Sequence, residues 1–355
     1  MENYFNDRDK RNTLLLRTLR EQLPPFCNEF FIGIGSRTSV LSRVGYARDL
    51  AIFFDFLVSC GKIEVDSPTH ITLRHLNSVT SSDIEEFLEY LSLFTFNGRE
   101  YTNDNRAKLR KLSSIRALFK YLYNKDKLDE NVASKVLSPK ITEREIIRLE
   151  GQEMADFLQS VESGSTLSPG NQQSYHRNTA IRDTAIVSLL LGTGIRISEL
   201  VGLNIDDVDW DNGKFSVTRK GGNRTVLYLP DDVVEALQNY LAERLAIHAD
   251  TDALFLSLQQ KRIGVRTVEV LVKKYASGAV PSKHITPHKL RSTFGTNLYR
   301  ETKDIYIVAE VLGHRDVNTT KKHYAAISED IKKSAAQTVH LKQKPAEAGE
   351  DKDEK

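Results

Sequence analysis

A mainly α-helical protein of two domains, with one small three-stranded antiparallel sheet in the second, is the fold class that three observations predict. The 355 residues are many for a single core and enough for two. Apolar residues recur at helical spacing along most of the chain. Strand and turn signals are concentrated in one stretch, Val208 to Leu229.

From Leu14 to Leu137 the pattern is helical throughout. Tyr46, Leu50, Phe53, Phe54 and Leu57 make an amphipathic face that stops at Gly61. Ser82 to Leu93 repeats it with Ile84, Phe87, Leu88 and Leu91, and Ser82 reads as the N-cap ahead of Glu85. A third helix, Asp104 to Tyr123, buries Leu109, Leu112, Ile115, Leu118, Phe119 and Leu122. Residues 1–140 are therefore expected to form an all-helical domain.

Near Ser138-Pro139-Lys140 the periodicity lapses, and the charged stretch 141–150 reads as a linker. The second domain is expected over 151–339. It opens on a helix at Gly151, is broken by a turn-rich loop from Ser163 to Ser174, and resumes helical periodicity near Arg182. Asn212-Gly213 signals a hairpin. Phe215 to Thr218, a Gly221-Gly222-Asn223 turn and Thr225 to Leu229 complete the sheet, and Pro230 closes it. Helices return to about Val339, and 340–355 reads as a disordered tail.

With 40% apolar and 28% charged residues, the composition is that of a soluble globular protein, neither disordered nor membrane-embedded. No apolar run approaches the roughly 20 residues that span a bilayer. The start, MENYFNDRDKRN, carries no secretory signal, so a cytoplasmic location is expected. Cys27 and Cys60 lack Cys or His neighbours at ligand spacing, which argues against a disulfide framework and a zinc site. Neither metal nor cofactor is expected. The net charge of +2 neither demands nor excludes a polyanionic partner.

Four segments of the second domain each offer a residue suited to a phosphate. In Gly192-Thr-Gly-Ile-Arg196-Ile-Ser-Glu199, a guanidinium at a helix start can grip two phosphate oxygens, with Glu199 one turn on to orient it. An exposed Arg paired with Glu199 is the plainer alternative. In Arg219-Lys220-Gly-Gly-Asn-Arg224, Lys220 at a hairpin tip can reach a bound strand, although such a residue is usually only solvated. His288 and Arg291, three apart at a helix start, can both donate to one anion near the positive end of the helix dipole, or serve as a capping His and a surface Arg. Leu312-Gly313-His314 precedes a polar stretch that ends in Tyr324, with Lys321, Lys322 and His323 beside it. A tyrosine alone more often fills a core than attacks a substrate.

Taken together, GTGIRISELVGL, TRKGGNRTV, TPHKLRSTFGTNLY and LGHRDVNTTKKHY resemble the tyrosine recombinase, or phage integrase, family. Its pattern is Arg, Lys, His-x-x-Arg, His or Trp, then Tyr, in that order. The resemblance covers most of the chain and implies a helical core-binding domain over 1–140 and a mixed catalytic domain over 151–339. Within the family the chain looks like the Xer-type recombinases, particularly the single-protein, chromosome-resolving kind of Gram-positive bacteria. Integrases of mobile elements share the same motifs.

The resemblance implies a catalytic set of Arg196, Lys220, His288, Arg291, His314 and Tyr324, with Tyr324 as nucleophile and Lys220 as proton donor. Arg196 and Arg291 would clamp the phosphate, His288 and His314 would add donors, and His288 would serve as base. Exchange of one phosphodiester for another through a Holliday junction requires no nucleotide triphosphate, and no Gly-rich phosphate loop is present. The implied partners are duplex DNA with a roughly palindromic site and three further copies of the chain, a tetramer on two sites in the nucleoid. The apolar stripe Ile327, Ile331, Ala335 and Val339 either docks a C-terminal helix on a neighbouring subunit or packs on its own domain.

A DNA-facing run is read on the third helix of the first domain: Arg106, Lys108, Arg110, Lys111, Ser113, Arg116 and Lys120, with Ser114 beside them. Three departures from the family pattern stand out. Ser292 occupies the place of a second His, one extra residue separates His314 from Tyr324, and the loop from Val161 to Asn178 is long. The same chemistry without sequence choice would make a type IB topoisomerase-like enzyme. Loss of chemistry would leave a catalytically silent DNA-binding regulator.

Overall fold

The computed structural model describes residues 4–142, 147–219, 222–313 and 317. The chain divides into two compact units, Met1–Arg144 and Glu145–Lys355. None of the described helices is long and apolar enough to cross a membrane.

The first unit contains α1 (Tyr4–Arg20), α2 (Cys27–Gly33), α3 (Val40–Ser59), α4 (Leu73–Asn77), α5 (Ser81–Tyr90), a hairpin of β1 (Phe94–Phe96) and β2 (Arg99–Tyr101), and α6 (Asn105–Tyr123). α3 packs on α1 and α6. The faces marked by helical spacing supply the core, in which Leu50, Phe53, Phe54, Phe87, Leu112 and Phe119 are fully or almost fully buried. Burial of each such side chain is worth about 1.5–3 kcal/mol. Cys27 lies in this core and Cys60 is exposed.

Two expectations for this unit are corrected. The domain is not all-helical, because β1 and β2 pair antiparallel with Phe96 opposite Arg99. Asn97 (φ 49) and Gly98 (φ 70) form the two-residue turn, which requires positive φ at both positions. Phe94 is buried against the rings of Tyr90 and Tyr101. The N-cap of α5 is Thr80 rather than Ser82: Thr80 Oγ1 accepts from the Asp83 N–H at 3.2 Å, and Asp83 answers from the Thr80 N–H at 2.9 Å.

The second unit contains α7 (Gly151–Ser163), α8 (Asn171–Arg177), α9 (Ala180–Thr193) and α10 (Ile197–Leu200). A three-stranded antiparallel sheet follows, in the order β3 (Val208–Asp209), β4 (Lys214–Thr218), β5 (Arg224–Tyr228). Then come α11 (Asp231–Ala246), α12 (Val265–Ala279), α13 (Pro287–Thr302) and α14 (Ile305–Leu312). The turn-rich loop expected from Ser163 to Ser174 is shorter than that, since α8 begins at Asn171.

α9 is the central helix, apolar on most of its circumference and packed against α7, α11 and α13. It ends at Gly194, whose φ of 60° is the left-handed conformation that closes many helices. A Cβ there would lie 2.3 Å from Phe294 Cδ1, so glycine is needed for space as well as for backbone.

The beginning of this unit is tied to α13. Leu149 is buried and its N–H donates to Thr293 Oγ1 at 2.9 Å, so part of the expected linker 141–150 is built into the second unit. Glu153 accepts from the Glu150 N–H and from Lys283 Nζ, each at 2.7 Å. The first of these bonds, then the second, holds its carboxyl below the usual carboxylate range. A depressed folded-state pKa adds stability above the unfolded value and loses it as pH falls through the folded one. Glu153→Gln should therefore lower Tm by a few degrees at neutral pH, with the gap closing below about pH 4 in thermal melts followed by circular dichroism. A gap independent of pH would contradict this.

Candidate phosphate-binding site

α14 ends at Gly313, which caps the helix with φ 63°. The last carbonyls of a helix have no partners within it and carry a partial negative charge. Here three guanidiniums from three other elements supply donors. Arg219 Nη1 donates to Glu310 O at 3.3 Å and its Nη2 to Val311 O at 2.7 Å. Arg291 Nη2 donates to Leu312 O, and Arg196 Nη2 donates to Gly313 O at 3.4 Å. Four consecutive carbonyls thus gather arginines from positions 196, 219 and 291.

Two of the three arginines are also fixed from behind. Arg196 is the N-cap of α10; its N–H donates to Glu199 Oε2 at 2.8 Å and its Nη1 to Glu199 Oε1 at 2.8 Å. Glu199 is buried, whereas the Arg196 side chain is 36% exposed, so the carboxylate anchors a guanidinium that solvent or a ligand can still reach. Arg291, on α13, is buried and donates Nη1 to Gly194 O at 2.6 Å. The glycine that ends α9 therefore sets the position of one arginine and leads, two residues on, to the other. Hydrogen bonds to charged groups are worth about 1.5–3 kcal/mol each, enough to hold cations close together despite their repulsion.

Burial lowers the pKa of Arg219, Glu199 opposes that shift, and Arg196 adds to it through like-charge repulsion. Like charges held this close are stabilised by an anion placed among them. Arg219 also keeps a buried Nε that has no partner among the described residues.

His288 sits in the first turn of α13, whose N-cap Thr286 accepts from the Lys289 N–H at 3.4 Å. It is exposed, while Arg291 one turn on is buried. Ser292 Oγ donates to the carbonyl of His288 at 3.1 Å, a bond within its own helix that does not replace an imidazole. Lys220, His314 and Tyr324 lie outside the described residues, as does the stripe from Ile327 to Val339. Arg219 was not singled out from the sequence. Its only signal was a second basic residue beside Lys220, which reads as a solvated turn.

In the first unit, Asp104 caps α6 by accepting from the Ala107 N–H at 3.0 Å. Arg106, Arg110, Ser113 and Lys120 are exposed and share one face of the helix. Lys108 is half-buried and donates to Ser92 Oγ at 2.7 Å. Arg110 also pairs with Asp49 Oδ2 at 2.6 Å, a buried carboxylate that accepts from Ser114 as well. Desolvation raises the pKa of Asp49, although Arg110 and Ser114 oppose it. Two of the basic residues are taken up by the fold. Lys111 is buried with Nζ on Asn103 Oδ1 at 2.6 Å, and Arg116 donates to Ala133 O, Val136 O and Ser138 Oγ.

The phage integrase family matches residues 148–330, just over half of the chain. The chain belongs to this family. It is 35% identical over 309 residues to the tyrosine recombinase XerC of Caldanaerobacter subterraneus, covering 84% of this chain and 82% of that protein. It is 31% identical over 353 residues to the tyrosine recombinase XerS of Lactococcus lactis, covering 91% and 98%. Among solved structures, the XerH site-specific recombinase bound to its difH substrate aligns with TM-score 0.62 and 22% identity, covering 85% of this chain and 81% of that one. The chain is accordingly a tyrosine recombinase with that family's fold.

The Glu199 anchor is testable. Glu199→Ala removes both bonds to Arg196, and strand cleavage on a nicked duplex should fall about 10–100-fold while DNA binding is retained. Unchanged cleavage would show that Arg196 needs no such support.

Proposed function

We propose that the chain cuts one strand of a specific duplex site with the phenol of Tyr324 and rejoins it to a partner strand. The gathering of Arg196 and Arg291 on adjacent carbonyls, one residue before His314, is the observation that carries this reading. Two guanidiniums so placed suit the two non-bridging oxygens of one phosphodiester.

Attack of the Tyr324 oxygen on phosphorus forms a phosphotyrosine bond and breaks the bond to the 5′-oxygen. A free tyrosine is about one part in a thousand phenolate at pH 7, so a base and nearby cations are needed as attack proceeds. His288 takes the phenolic proton, Lys220 gives one to the leaving 5′-oxygen, and His314 adds a donor to the phosphorane. One ester replaces another, and the released 5′-hydroxyl of a second strand reverses the step to complete the exchange. Arginine, lysine and histidine supply the charge that a metal ion would otherwise provide.

The first unit adds phosphate contacts through Arg106, Lys108, Arg110, Ser113 and Lys120 of α6. Relatives along nearly the full length that are named XerS support the Xer role over integration of a mobile element. In that role the substrate is a roughly palindromic site, four copies of the chain act on two such sites through a Holliday junction, and the product is a resolved chromosome dimer. A location in the cytoplasm, on the nucleoid, follows from that substrate.

Tyr324→Phe should abolish the covalent adduct on a nicked suicide duplex while leaving binding of the intact site within about threefold. An adduct that survives the substitution would place the nucleophile elsewhere.

A further inference from the structure

Asp49 lies on α3 with its side chain 1% exposed, whereas the side chain of its partner Arg110, on α6, is 57% exposed. Arg110 Nη1 donates to Asp49 Oδ2 at 2.6 Å, and Ser114 Oγ, one turn further along α6, donates to the same oxygen at 2.8 Å. Burying a carboxylate is costly, and burial raises the pKa of Asp49 against the opposing pull of Arg110, Ser114 and Lys111. The ammonium of Lys111 is itself directed to Asn103 Oδ1. Asp49 Oδ1 is buried with no partner among the described residues, so the bonds to this carboxylate converge on the oxygen that holds Arg110. A carboxylate kept for the fold alone would have both oxygens satisfied. The pattern repeats that of Glu199 and Arg196, a buried acid beneath a guanidinium that remains accessible.

We propose that Asp49 is a positioning residue that fixes the Arg110 guanidinium for one phosphate of the bound duplex, so that α3 strengthens the grip of α6 without itself touching DNA. The inference rests on the reading that this face of α6 contacts DNA. Asp49 engages one of the five donors of the guanidinium, which stays accessible on the face it shares with Arg106, Ser113 and Lys120. An exposed arginine gives up rotamer freedom when it holds a phosphate, and one already tethered at Nη1 has given up part of that freedom on folding. The carboxylate also sets the direction from which the fork reaches out, so the contact falls on one phosphate rather than on several.

The test uses the full chain and a duplex recovered from a randomised pool by its binding to this protein, with single phosphates replaced in turn by neutral methylphosphonates. In the unsubstituted protein, replacing the phosphate held by Arg110 should weaken binding roughly tenfold. Arg110→Gln, which keeps a donor for Asp49, should be indifferent to replacement at that one position. Asp49→Leu is similar in shape and leaves Ser114 its bond to the Arg110 carbonyl at 3.4 Å. It should shrink the penalty at the same phosphate to about threefold or less and leave the penalties elsewhere unchanged. A full penalty retained there in Asp49→Leu would overturn the positioning role while the contact by Arg110 stands. Penalties reduced at every phosphate alike would reduce Asp49 to a support of the fold and overturn it too. If Arg110→Gln loses its penalty nowhere, the contact reading for Arg110 fails and the proposal falls with it. Should Asp49→Leu not fold, Asp49→Asn accepts without the negative charge and should show a smaller reduction at the same phosphate, no reduction counting against the proposal.

Discussion

The C-terminal end of α14 is where the second unit is held to its chemistry. A helix that stops inside a protein leaves carbonyls that must find donors, and those of Glu310, Val311, Leu312 and Gly313 find them on Arg219, Arg291 and Arg196. Each arginine satisfies carbonyls with part of its five-donor fork. Three like charges in one place are unfavourable by themselves. The buried carboxylate of Glu199 and the partial charge of the helix end offset that repulsion, and a bound phosphodiester would offset it further.

The rest of the unit can be read as the means of bringing those arginines there. α9 is buried on most sides and therefore has one place to go, between α7, α11 and α13. Its end at Gly194 turns the chain sharply enough to present Arg196, while the Gly194 carbonyl accepts from Arg291. Gly194 and Gly313 both adopt left-handed backbone, and both leave space that a Cβ would fill, against Phe294 in one case and Arg219 in the other. The glycines of the GTG and LGH motifs are thus fixed by packing as much as by turn geometry.

Much of this was legible in residue order. The pairing of Arg196 with Glu199 and the sheet between Val208 and Tyr228 follow from local rules that need no knowledge of distant partners. The hairpin at Asn97-Gly98 carries the same kind of signal as Asn212-Gly213 but is short and sits among helices, so the surrounding periodicity obscured it. α8 was hidden because Gly170 and the serines around it mark turns, while the helix that follows is only Asn171–Arg177. Lys111 and Arg116 read as surface charge because composition cannot tell which lysine will meet an Asn103 or which arginine will tie down residues 133–138. Arg219 was illegible for a similar reason: its partners lie some ninety positions further along the chain, on a helix end whose carbonyls have no signature of their own.

The central claim is that Arg196 and Arg291 share one phosphate while still bonded to the end of α14. A crystal structure of the protein trapped on a suicide duplex as its phosphotyrosine adduct tests it most directly. The account predicts both guanidiniums within hydrogen-bond distance of non-bridging oxygens of the same phosphate, with the bonds to Leu312 O and Gly313 O retained. A phosphate seated away from either arginine, or reached only after those carbonyl bonds are broken, would contradict it.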